Sequence, residues 1–292
     1  MDADALIEWA LESAVSESES PPGPPLLASA IRHAVFPGGA RVRPQLCLAV
    51  AAACNAGSKD ELMVSAGAGA SLELLHCASL VHDDLPCFDG ADVRRGKPSV
   101  HVAFGEPIAL LAGDALIVMA FSTLARSTAG TPEILARLLP IVTAAVGAPH
   151  GIVAGQAWES EPGVETDAYH RAKTGALFIG AAEAGAASVG ADPAPWRKLG
   201  EHLGDAYQVA DDLRDMLLDE EALGKPAGQD AKCARPNAAS DLGPRAAMAK
   251  LNGLIEAAAD SVPDCEGAPA LRNLVHAQAS RLIPASLAHA LA

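Results

Sequence analysis

From about Leu26 onward, Ala, Leu, Val and Ile recur at the three- and four-residue spacing of helices, broken by Gly or Pro every 15–25 residues or so. No stretch alternates apolar and polar positions with the period of two that marks a half-buried strand. Aromatic residues make up only 3% of the chain, so the core must be built from small aliphatic side chains that let helices approach closely. The pattern predicts an all-α, many-helix bundle. A short helix over 3–15 precedes Ser-Glu-Ser-Glu-Ser-Pro-Pro-Gly-Pro-Pro at 16–25, the composition of a flexible or polyproline-like linker. Residues 1–25 therefore read as an N-terminal helix and linker, and 26–292 as one domain without internal repeats.

Composition narrows the partners. The chain has 292 residues, half of them hydrophobic, and 21 basic against 36 acidic residues give a net charge of -15. That balance disfavours nucleic acid and anionic membrane surfaces. Six cysteines (Cys47, Cys54, Cys77, Cys87, Cys233 and Cys265) form no C-x-x-C pair and are expected to be reduced and buried. The N-terminus is acidic, unlike the basic start of a signal peptide. The apolar run 106–121 is interrupted by Asp114, and 133–149 holds Arg137 and Pro140, so neither is expected to span a membrane. A cytoplasmic protein is expected.

Candidate chemistry concentrates in 72–101. An apolar helical run ends in Asp83, Asp84 and Asp89, and Arg94 and Arg95 follow within a dozen residues. Taken alone, three aspartates with a Pro-Cys-Phe-Asp-Gly turn fit a solvated helix end equally well. A second cluster, Asp211, Asp212 and Asp215, closes another apolar helical run, with Asp211 and Asp215 one turn apart on one side. Two acidic helix ends can face each other across a cleft. Carboxylates hold Mg²⁺ jointly with substrate phosphates, and arginines grip phosphate through a planar fork. The ligand implied is a diphosphate.

Four further segments could carry charge or polar groups to such a ligand. Phe36-Pro-Gly-Gly-Ala-Arg-Val-Arg-Pro places Arg41 and Arg43 at a helix start. His76 lies seven residues before Asp83 on the same run. Residues 147–159 include Gln156, and Tyr169-His-Arg-Ala-Lys-Thr-Gly places Lys173 and Thr174 on a helix rich in small residues. Individually these also read as a surface loop, a core histidine, a packing face and an exposed Lys-Thr.

In order, the motifs resemble those of the trans-isoprenyl diphosphate synthases, the polyprenyl synthetase family. Asp83–Asp89 with Arg94-Arg95-Gly96 is similar to that family's Asp-Asp-x-x-x-x-Asp and Arg-Arg-Gly, and Asp211–Asp215 to its Asp-Asp-x-x-Asp; the likeness runs from about Phe36 to about Ala239. The resemblance implies a single-domain bundle around a central cavity, of the isoprenoid synthase type. It also implies isopentenyl and allylic diphosphates as substrates, Mg²⁺ (three ions per site) on Asp83, Asp84, Asp89, Asp211, Asp212 and Asp215, and a homodimer. By the same likeness Arg43, His76 and Arg95 would hold isopentenyl diphosphate. Arg94, Lys173, Thr174 and Lys225 would meet the allylic diphosphate, Gln156 and Gln208 would line the pocket, and Arg235 would stand where the family often has a lysine. One departure stands out: Ala40 occupies the lysine position of the Gly-Gly-Lys-Arg-x-Arg-Pro element.

Product length should be set where the tunnel is blocked, since one helical turn of about 5.4 Å is close to one isoprene unit. In the family it resembles, the stop often lies four or five residues before the first aspartate; here those positions are Ser79 and Ala78, too small to stop growth early. Leu74, Leu75, Met119 and Phe121 lie deeper, so geranylgeranyl diphosphate is the expected product. A farnesyl or longer-chain synthase, or a non-catalytic regulatory subunit, remains the alternative. A class I terpene cyclase is disfavoured because no Asn-x-x-x-Ser-x-x-x-Glu partner occurs and the arginine motifs favour chain elongation.

Overall fold

Ser58 starts the helix on which the bundle is assembled. Its hydroxyl accepts the Glu61 amide at 3.1 Å, while the Glu61 carboxylate accepts the amides of Ser58 and Gly57 at 2.9 and 3.0 Å, a reciprocal cap. The helix then runs Lys59–Asp83 with apolar or small residues on every side, so it can only be a central helix. In the computed structural model, which describes residues 2–36, 39–54, 57–162, 166–217 and 242–279, it is α4.

Around α4 stand α1 (Ala3–Ser18), α3 (Val42–Ala53), α6 (Glu106–Ser127), α7 (Pro132–Val146) and α10 (Ala176–Ser188). α2 (Pro25–Val35) and α5 (Val100–Phe104) pack on α6, and α11 (Arg197–Leu217) closes over α10. α8 (Ile152–Trp158) and α9 (Thr166–His170) cap one end, and α12 (Pro244–Asp260) and α13 (Ala268–Ala279) complete the bundle. Leu72, Leu74, Leu75, Leu116, Leu124, Leu138 and Leu177 lie in one continuous core. The all-α expectation holds, with one addition: Val93–Arg94 (β1) and Lys97–Pro98 (β2) pair antiparallel in a two-residue hairpin.

The N-terminal helix is longer than the expected 3–15. α1 extends to Ser18 and buries Leu6, Ile7, Leu11 and Val15 in the common core. The expected linker is a short turn, with Glu19, Ser20 and Gly23 amides bonded back to nearby carbonyls and Glu19 paired to Arg32 of α2. Cys47 and Cys77 are buried and Cys54 and Cys265 half-buried, as unpaired thiols. Cys87, by contrast, is exposed in the turn after α4, which corrects the expectation of burial there; Cys233 lies outside the described residues.

Among the described residues, two helices are long and apolar enough to cross a membrane by length and composition. α4 is mostly enclosed by the bundle. α6 is enclosed on one face only, and Leu110, Leu111 and Val118 are exposed on the other.

Candidate active site

α4 ends at Asp83, and the chain turns so that Asp83 and Asp84 point to different neighbours. Asp84, 2% exposed, receives Arg94 from β1, with Nη2 at 2.5 Å and Nε at 3.0 Å from Oδ1. Burial still pushes the Asp84 carboxyl up from its ordinary range, against the lowering effect of Arg94. Asp83 makes no such pair: its Oδ1 is sealed from solvent without a hydrogen bond, and the Lys173 ammonium stands 3.6 Å away. Burial raises its proton affinity, Lys173 opposes this, and the charges of Asp89 and Glu159 add to it.

Glu159, just past α8, was not singled out by the sequence reading. Oxygens of Asp83, Asp89 and Glu159 lie within 4.8 Å of one another. Glu159 accepts from Lys173 and from the Tyr169 hydroxyl (2.6 Å), and its other oxygen accepts Gln156 Nε2 at 3.0 Å. The signal was available: Glu159 follows Gln156 by three residues and so shares its side of α8. Oxygen donors gathered around a sealed, unsatisfied carboxylate oxygen fit a hard divalent cation such as Mg²⁺.

Lys173 reaches this point because the chain leaves α-helical geometry. Between α9 and α10, Arg171–Gly175 forms a π-helical turn, a form concentrated at functional sites. Two glycines admit its backbone: a Cβ on Gly155 of α8 would fall 2.4 Å from Lys173 Cα, and one on Gly204 of α11 would fall 2.6 Å from Gly175 Cα. Lys173 thus faces Asp83. Thr174, next in sequence, donates to Gln208 Oε1 of α11 at 2.7 Å, and Gln208 Nε2 donates to Asp212 at 2.8 Å. This turn joins the two acidic segments. Asp212 is 1% exposed and held by Gln208, while Asp211 accepts Arg214 at 3.0 Å; Asp215 is half-buried on the same helix.

Arg41 and Arg43 are buried, contrary to a surface-loop reading. Arg41 donates to Glu73 (2% exposed) and Glu8, both at 2.9 Å, and to the Val35 carbonyl, so it neutralises a core carboxylate. Arg43 lies over the rings of Phe178 (4.8 Å) and Tyr207 (5.7 Å), with Nε lacking a hydrogen bond. Burial lowers its proton affinity, and Arg95 adds to that. His76 Nδ1 is likewise sealed and unbonded; burial first, then the charges of Arg43, Arg95, Arg94 and Arg41, hold the imidazole well below its ordinary range. Arg95 occupies the left-handed region at φ 54°, followed by Gly96 at φ 72°, so the hairpin turn separates the directions of Arg94 and Arg95.

Ala40 precedes Arg41 and is exposed. Lys225 and Arg235 lie outside the described residues. Among the chain-length positions, Leu75 and Ala78 are buried in α4 and Ser79 is half-buried. Deeper down, Leu74 is fully buried, whereas Met119 and Phe121 of α6 pack at the edge of the core.

The fold is that of an all-α isoprenoid synthase. A geranyltransferase from Helicobacter pylori, crystallised with magnesium and isoprenyl diphosphate, superposes with a TM-score of 0.79 at 27% identity, over 96% of this chain and 98% of that one. The chain belongs to the polyprenyl synthetase family, whose model matches residues 24–242. It is 50% identical to a geranylgeranyl diphosphate synthase of Cereibacter sphaeroides over 99% of both chains. It is also 38% identical to a farnesyl diphosphate synthase of Geobacillus stearothermophilus over 77% of this chain and 76% of that one.

Proposed function

We propose that the protein is a Mg²⁺-dependent prenyltransferase that joins isopentenyl diphosphate to dimethylallyl, geranyl or farnesyl diphosphate and releases trans-geranylgeranyl diphosphate. The observation that carries this is the π-helical turn that sets Lys173 against Asp83 and links Thr174 through Gln208 to Asp212. Relatives along the whole chain, among them the geranylgeranyl diphosphate synthase of Cereibacter sphaeroides, support the product.

Asp83 and Asp89 on one wall, with Asp211 and Asp215 on the other, would hold magnesium, which when bound supplies positive charge to the departing diphosphate oxygens. Asp84 and Asp212, engaged by Arg94 and Gln208, orient those side chains. Lys173 and Arg94 bind the allylic diphosphate and draw negative charge as the allylic C–O bond ionises. Arg43, His76 and Arg95 hold isopentenyl diphosphate so that its double bond meets the allylic cation. Phe178 and Tyr207 hold the Arg43 guanidinium in place. Proton loss to the leaving pyrophosphate completes one five-carbon extension. The exposed apolar face of α6 (Leu110, Leu111 and Val118) supports a homodimer, which sedimentation velocity measures directly.

Purified protein with Mg²⁺, radiolabelled isopentenyl diphosphate and each allylic diphosphate in turn should give a twenty-carbon product. A fifteen-carbon end point would assign it to the farnesyl class, and no incorporation with any primer would favour the regulatory subunit.

A further inference from the structure

We propose that Glu159 is a positioning residue: it holds the Lys173 ammonium beside the Asp83–Asp89 carboxylates, so that Lys173 is placed in advance for the diphosphate. This rests on the reading of Asp83 and Asp89 as the magnesium site.

The geometry is specific. Lys173 has two carboxylates within reach, the closer being Glu159, which it contacts directly, and the other Asp83, 3.6 Å away. Glu159 is itself fixed from two sides by Tyr169, whose hydroxyl donates to the same oxygen that Lys173 uses, and by Gln156 on the other oxygen. Tyr169 is buried, and its ring also lies 5.9 Å from the Lys173 ammonium. A carboxylate with both oxygens committed is a fixed anchor rather than a mobile ligand. An ammonium on a four-carbon stem would otherwise sample many rotamers. Held by Glu159, it sits at the edge of the Asp83 group without closing a hydrogen bond to the sealed Asp83 oxygen, which is left without a donor.

Removing the Glu159 charge should have a defined consequence. Lys173 then has Asp83 as its remaining carboxylate and competes with metal for it. In Glu159→Gln, calorimetric affinity for pyrophosphate in the presence of Mg²⁺ should fall about tenfold, the effect of one charge-assisted hydrogen bond. Turnover should fall while KM for isopentenyl diphosphate is unchanged, and Glu159→Asp should recover part of the loss. In a Lys173→Gln background, Glu159→Gln should cost no further affinity, because the anchor has nothing left to hold.

The outcomes separate the two readings. If the unaltered protein binds no Mg²⁺-pyrophosphate, the magnesium site itself is wrong. If it binds but Glu159→Gln binds equally well, with a circular dichroism spectrum like the parent, the positioning role alone is overturned. If Glu159→Gln costs the same tenfold with and without Lys173, Glu159 is a direct metal ligand and the inference is likewise refuted.

Discussion

Replacing Gly155 by alanine tests whether the position of Lys173 is set by the helix beneath it. The added Cβ would fall 2.4 Å from both Cα and N of Lys173 and 2.8 Å from the Ala172 carbonyl carbon. Ordinary carbon contacts lie near 3.5–4.0 Å, and these partners are backbone atoms that cannot rotate away, so α8 and the π turn must part by about 1 Å. Overpacking of this kind costs about 1–3 kcal/mol, a fall of a few degrees in Tm for a chain of this size. The larger effect is on chemistry. α8 carries Gln156 and leads into Glu159, so the shift separates Lys173 from its anchor and from Asp83 together. A misplacement of about 1 Å can cost about 100-fold in rate. Initial rates with both substrates saturating should therefore show kcat down by about that factor, with KM for isopentenyl diphosphate little changed. Gly253→Ala in α12, where a Cβ meets nothing within 4 Å, is the matched control and should be neutral or slightly stabilising. A Gly155→Ala enzyme with lowered Tm but kcat within about threefold of the parent would refute the claim that this contact places Lys173.

Three other expectations are direct. Ala78→Phe should shorten the product by at least one five-carbon unit in chromatography of the dephosphorylated products; an unchanged length would show that Ala78 does not face the growing chain. Asp83→Asn should abolish turnover yet raise the Tm of the metal-free protein, because burial disfavours the charged carboxylate more than Lys173 supports it; a lowered Tm would show the Lys173 pair to be net stabilising. His76 has a depressed folded-state proton affinity, so the unfolded chain binds the proton more readily and stability is lost as pH falls below the ordinary value of 6.5. The loss from this group approaches about 1.4 kcal/mol per pH unit, and His76→Gln should flatten that part of a denaturant-midpoint profile between pH 7 and 5.

The central helix was legible because Lys59–Asp83 is apolar on every side and ends in a run of acids, a pattern that needs no partner to be recognised. The hairpin was not, since two-residue strands are too short to show any alternation, and its one local cue is Gly96 in the left-handed region. The π turn was also invisible: five residues of altered pitch barely disturb a helical pattern, although Lys173 and Thr174, singled out as candidates, lie within it. Residues whose roles depend on distant partners were the hardest. Arg41 looked like a surface arginine because Glu73, which it neutralises, is 32 residues away and itself reads as a core-helix polar position. Glu159 acquires its meaning only when Tyr169 and Lys173, on a separate element, come back to it.

The two adjacent aspartates at the end of α4 show how the fold divides stability from function. Asp84 turns toward the hairpin, where the Arg94 fork compensates its burial. Asp83 turns toward α8 and the π turn, and is left with a sealed oxygen and an ammonium beyond hydrogen-bond range. It also sits at the C-terminal end of a 25-residue helix, where the aligned peptide dipoles favour cations and disfavour carboxylates. Folding alone would be better served by a neutral residue there. A group held against burial, helix dipole and neighbouring acids gains most when a cation arrives, and stability forgone in the empty state reappears as binding free energy for that cation. The Arg41–Glu73 pair, more deeply buried yet fully compensated, offers no such gain. The contrast between these two acidic sites on one helix, rather than the number of acids, is what singles out the Asp83 end as the working one.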